Sequence, residues 1–161
     1  MVAEASKWKS RPIYEVRSFR SGEALGALVG LARKALAEEF ERELAPLGLN
    51  VAQALVILFL ADGRASTSAQ MCRMLSHDAG AMTRIVDKLE ELGFVRRVRK
   101  EHDRRAAHLE LTREGKGVHG QLTRVQVALL NKMLRGFSRA EARTLEALLK
   151  RILDNANGMQ G

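Results

Sequence analysis

Six basic residues crowd into twelve positions: Arg96, Arg97, Arg99, Lys100, Arg104 and Arg105, set against Glu101 and Asp103. That surplus of four is half of the net charge of +8 carried by the 161 residues. Guanidinium and ammonium groups at this density attract a polyanion, and an arginine on a narrow finger suits the DNA minor groove, where the potential is most negative. Just upstream, Ala79, Gly80 and Ala81 precede Thr83, Arg84 and Lys88. Small residues let a backbone approach base edges, and the donors that follow can read them. Arg84 is suited to guanine through two hydrogen bonds, and Lys88 to a phosphate. Thr67 and Ser68 open the preceding helix, whose free N–H groups and dipole favour a phosphate. Asp103 repels DNA, so its expected work is to pair with a strand arginine such as Arg96 and hold the finger in shape.

Other chemistry finds less support. The chain has one cysteine, Cys72, so no internal disulfide is possible and a reducing compartment is expected. Cys72 reads as a small buried residue. His77, His102, His108 and His119 do not form a ligand set with it, and no metal or cofactor is expected. His102 and His108 flank the finger tip and read as its surface. A phosphate-cradling glycine loop, a nucleophile elbow and paired carboxylates in an evident pocket are all missing, which argues against an enzyme. The first twenty residues carry Lys7, Lys9, Arg11, Arg17 and Arg20 and do not resemble a signal peptide. The longest apolar run, 54–61, is far below the roughly 18 residues of a membrane span. A cytoplasmic protein that meets no membrane is the expectation.

The elements that must hold these residues follow from spacing. Residues 1–20 are a mixed, basic arm. From Ser21, Leu25, Leu28, Leu31, Leu36 and Phe40 recur near a helical period until Pro46 and Gly48. Asn50 with Gln53 forms a capping box before an almost wholly apolar helix over 51–61, which reads as central and buried. Thr67 with Gln70 opens a short helix that turns Met71 and Leu75 inward. Asp78 caps the next, over 79–92, where Met82, Ile85, Val86 and Leu89 make one apolar stripe and Gly93 ends it. Strands are expected over 94–100 and 106–112, with the charged tip 101–105 between them. Thr112 caps a helix to about residue 135. Ser138 with Glu141 caps the last, whose stripe runs from Ala142 to Leu153 before a polar tail. The result is mainly α with a small β-wing: a winged helix-turn-helix with helical extensions. The last stripe, together with that of Leu25 to Phe40, exceeds what a small winged domain can cover, which points to a symmetric partner, with packing of the terminal helices on each other in one chain as the other reading. A winged helix that binds protein or RNA is the alternative function, although that version would expose apolar residues where Ala79, Gly80 and Ala81 stand.

The stretch from Leu75 through Gly115 resembles the MarR family of bacterial transcriptional regulators. The matching residues are the run from Thr83 to Glu90, then Leu92 to Arg97, Asp103-Arg104-Arg105, and Leu109 to Gly115. The resemblance implies a single family domain over 21–161, with the winged helix-turn-helix at 50–112 and dimerisation helices at 21–48 and 113–157. It implies a homodimeric repressor on a pseudo-palindromic operator, released by a small aromatic or anionic effector. Carried over by the motif, Arg105 enters the minor groove with Arg104 its competitor, Asp103 braces the wing, and 79–88 is the recognition surface. Gly80 and Ala81 stand where the family often has Ser and Thr, which removes two hydroxyl donors. Trp8, Tyr14 and Arg17 are the candidates for an effector site if the arm folds back; packing at the dimer interface is their other reading.

Overall fold

A computed structural model of the protein describes residues 12–100 and 103–159, and for residues 99, 100 and 103–106 it describes the backbone alone. Two compact units meet at Glu38 and Glu39, inside the first long helix. In the first unit, residues 12–24 form no α-helix, and α1 (Leu25–Leu44) starts four residues later than its periodicity suggests. The Tyr14 hydroxyl accepts from the Leu25 amide at 3.2 Å, satisfying one of the donors that a helix start leaves open. Tyr14 in turn meets Phe19 edge to face, ring centroids 5.5 Å apart.

The second unit begins with the last turns of α1. A 3-10 turn over Ala45–Leu47 accommodates Pro46, and Gly48 follows at φ 65°, a left-handed value that suits glycine. Asn50 and Gln53 form the reciprocal capping box that opens α2 (Val51–Ala61). Ala54, Val56, Ile57 and Leu58 of α2 are buried, so this helix is the centre of the core. Around it pack α3 (Ser68–Leu75), α4 (Ala79–Glu91) and a hairpin of β1 (Val95–Lys100) and β2 (Asp103–Leu111). The strands are antiparallel, with Val95 opposite Leu111, Val98 opposite His108 and Lys100 opposite Asp103. Leu109 and Val95 turn into the core, while Thr67 bridges to His108 and ties the hairpin to the start of α3.

Then come α5 (Arg113–Met133) and α6 (Arg139–Gly158). The first turn of α5 is fastened to the corner between α4 and β1. Thr112 donates its hydroxyl to the Gly93 carbonyl at 2.6 Å and its amide to the Phe94 carbonyl at 3.1 Å. Gly115 sits against that corner so closely that a Cβ would collide with the Phe94 carbonyl. Leu122 and Leu129 of α5 close the core. Two boundaries differ from the sequence reading. The helix of the supposed polar tail continues to Gly158, because Asn155 to Asn157 contain nothing that breaks it. The second strand begins at Asp103 rather than 106, because pairing to Lys100 extends the ladder toward the tip. Among the described residues, no single helix is long and apolar enough to cross a membrane.

Candidate nucleic-acid interface

The outer face of α4 follows from the stripe beneath it. Met82, Val86 and Leu89 are fully buried on the inner side of α4, which turns the opposite face outward. On that face Ala79, Gly80, Thr83, Arg84 and Lys88 are exposed and Ala81 is half-buried. Asp78 caps the helix, its Oδ1 accepting from the Ala81 amide at 2.8 Å. That bond, with further help from the Gly80 amide and the Arg84 charge, holds the Asp78 carboxyl below its ordinary value of 3.8 despite some opposing desolvation. The Thr83 hydroxyl donates back to the Ala79 carbonyl at 2.8 Å. Lys88 pairs with Glu91 at 2.9 Å, both well exposed, so the pair is weak and a phosphate can displace it. Arg84 makes no ion pair among the described residues.

The wing is tied to this helix by a residue that spacing did not single out. Arg97 reaches from β1 to α4, with Nη2 2.6 Å from Asp87 Oδ1 and Nη1 bonded to Glu90. Its amide also donates to Glu90 Oε1 at 2.9 Å. Two carboxylates thus neutralise one of the six basic wing residues and turn it into an anchor. The only sequence signal was the i, i+3 spacing of Asp87 and Glu90 on one face of α4.

One expected pair of the wing, Arg96 with Asp103, is corrected. Arg96 pairs with Glu110 at 2.9 Å, not with Asp103. The register sets Arg96 directly opposite Glu110, whereas Asp103 lies opposite Lys100, four residues along β1. Asp103, Arg104 and Arg105 are also not part of the tip but belong to β2. The side chains of Arg99, Lys100, Asp103, Arg104 and Arg105 lie outside the described residues, as do Glu101 and His102.

Thr67 and Ser68 stand at the start of α3 as expected. The Thr67 side chain accepts from the Gln70 amide at 3.3 Å, and the Thr67 amide donates to Gln70 Oε1 at 3.1 Å. Both groups are thereby occupied by the capping box, and Ser68 is half-buried beside them. His108 is half-buried within the hairpin rather than on its surface, because its strand position faces α3 through the bridge to Thr67. Cys72 is half-buried and packs against the core. Among the described residues, no three His, Cys, Asp or Glu side chains gather as a metal site. In the first unit Tyr14 helps line a hollow of about 300 Å³ together with Phe19 and Arg20. Arg17 is exposed, and Trp8 lies outside the described residues.

A short helix, a turn, an outward-facing helix with small residues at its start, and a basic hairpin anchored to it define a winged helix-turn-helix regulator of transcription. Residues 47–106 match the model of the MarR family. The crystal structure of transcriptional regulator PA3341 aligns with a TM-score of 0.76 at 31% identity, covering 84% of this chain and 99% of that one. The multiple antibiotic resistance protein MarR of Escherichia coli K12 is 29% identical over 130 residues, 80% of this chain and 90% of its own. A mutant MarR from E. coli complexed with operator DNA aligns at a TM-score of 0.69 and 29% identity, covering 80% and 93%. The chain belongs to the MarR family. Relatives such as the HTH-type transcriptional regulator PrsX and the transcriptional repressor MprA of E. coli are named as regulators, not as enzymes.

Proposed function

We infer that the protein is a homodimeric repressor that binds a pseudo-palindromic operator in double-stranded DNA and leaves it when a small aromatic or anionic molecule binds. The observation that carries the DNA reading is the outer face of α4. Its start is small-residue backbone, its Arg84 has no ion pair among the described residues, and the helix is tied through Asp87 and Glu90 to a hairpin rich in arginine. The operator complex of E. coli MarR supports the same mode of binding. In this reading 79–88 lies in the major groove, Ser68 and Lys88 contact phosphates, and Arg99, Lys100, Arg104 and Arg105 follow the backbone or enter the minor groove. Asp103 offsets the wing's charge.

The dimer reading rests on the uncovered stripe of α6, where Leu145, Leu148, Leu149, Ile152 and Leu153 are all exposed. Helices 21–48 and 113–157 then form the seam. Two recognition helices related by a twofold axis demand two half-sites about one helical turn apart. Tyr14 and Arg17, with Trp8, remain the proposed effector contacts.

The test is selection from a randomised duplex library, followed by titration of the enriched duplex at several salt concentrations. An inverted repeat should emerge, and affinity should fall linearly on a log–log plot with a slope of several phosphate contacts. A flat salt response, or tighter binding to RNA than to any duplex, would remove the reading. Benzoate serves as the effector probe; release of the duplex at millimolar benzoate supports the ligand-responsive part, and unchanged binding counts against it.

A further inference from the structure

We propose that Asp78 and Arg84 act as one specificity unit at the start of the recognition helix, selecting a G·C pair in each half-site. Arg84 donates to guanine O6 and N7, and the Asp78 carboxylate accepts from the N4 amine of the cytosine paired with that guanine or next to it. This rests on the DNA-binding reading above and adds to it a second residue, Asp78, that reads the same or the adjoining base pair.

The two side chains flank Gly80. A Cβ added there would lie 3.2 Å from Asp78 Oδ1 and 3.8 Å from Arg84 Nη1. Both polar groups therefore lie within contact range of the same point above position 80, where the backbone carries no side chain to stand between them. The neighbouring cations are already engaged, Lys88 by Glu91 and Arg97 by Asp87 and Glu90. Arg84 is the cation on this face that the described ion pairs leave available.

Asp78 is the less obvious member. Ser or Asn caps a helix as well as Asp does, so capping alone does not call for a charge. An exposed carboxylate on a helix that enters the groove opposes every phosphate it meets. Its net effect on random DNA is unfavourable, and it becomes favourable only where a base edge donates to it. A charge that weakens binding everywhere except at the right base raises specificity by penalising the wrong sites. The Ala81 amide, then the Gly80 amide and Arg84, hold that carboxyl below its ordinary value, against some opposing desolvation.

The experiment compares the full-length protein with Asp78→Ser, Arg84→Ala and the double variant, each checked for folding by thermal melting. Each is selected on the same randomised duplex library and titrated against the enriched and a random duplex. The wild type should enrich guanine at one position of each half-site, and Arg84→Ala should lose that preference. Asp78→Ser should keep its fold, bind random duplex more tightly, and lower the enriched-to-random ratio about tenfold. The double variant should discriminate no worse than Arg84→Ala. An Asp78→Ser variant with the full ratio, or a double variant whose loss is the product of both single losses, overturns the inference. A wild type that binds no duplex overturns the DNA reading itself, which the titration against random duplex shows separately.

Discussion

The helices α4 and α6 carry apolar stripes of similar pattern and meet opposite fates. In α4, Met82, Val86 and Leu89 are completely buried by the chain's own α2, α3 and hairpin. In α6 no residue is buried, and Leu153 remains 63% exposed. Between them α5 serves both worlds, with Leu122 and Leu129 in the core and Val127, Leu130 and Met133 exposed. Periodicity says that a face needs cover; it does not say whose. Where the chain folds back within a few turns, the cover is internal. Where none of the described elements packs against it, the stripe stays exposed.

The contrast can be broken most forcefully at α6. Leu149→Asp with Ile152→Asp should weaken the dimer by about a hundredfold or more while the winged unit stays folded. Light scattering would then give the monomer mass; an intact dimer would place the seam elsewhere. In α4 the cost falls on folding instead. Leu89→Ala should destabilise by about 2–5 kcal/mol in urea titration without changing the dimer constant measured where the protein is folded. Gly115→Ala tests the joint between α5 and the corner of the winged unit. The collision with Phe94 should cost about 1–3 kcal/mol and shift the amide resonances of residues 93–95.

Two smaller effects sharpen the picture within the winged unit. Arg97→Met should cost less than about 1 kcal/mol of global stability, since its pairs are partly exposed, yet speed amide exchange along β1. DNA affinity should drop with no change in salt slope, because Arg97 spends its charge on Asp87 and Glu90 rather than on phosphate. A slope reduced by about 0.9 would make it a phosphate contact instead. The caps give the smallest effect. Asp78, through the Ala81 amide, and Glu141, through the Ser138 amide and hydroxyl, both lie below their ordinary values of 3.8 and 4.5. Their stabilisation is complete above those values and is lost as pH falls through the lower folded ones. Urea titrations from pH 5 downward should show that loss, and Asp78→Ser with Glu141→Gln should flatten it.

Much of this architecture was legible in the residues. Asn50, Thr67, Asp78, Thr112 and Ser138 all cap where their side chains and spacing suggest, because a cap is settled within four residues. The inner face of α4 was legible for the same reason. The wing's pairings were not. Arg96 meets Glu110 fourteen residues away, and Arg97 meets Asp87 ten residues away, across elements whose register no local pattern reports. His108 likewise reads as surface until the bridge to Thr67 turns its strand toward α3.

The amino-acid order by itself determined the helices, the caps that open α2 to α6, the basic hairpin and the membership of each apolar stripe, since these depend on backbone preferences and periods shorter than a dozen residues. Only the tertiary structure decided which charges are free. It neutralised Arg97, occupied the Thr67 cap and left Arg84 available beside Asp78. Ion pairing changes over a few ångströms, and strand register and helix crossing set those ångströms.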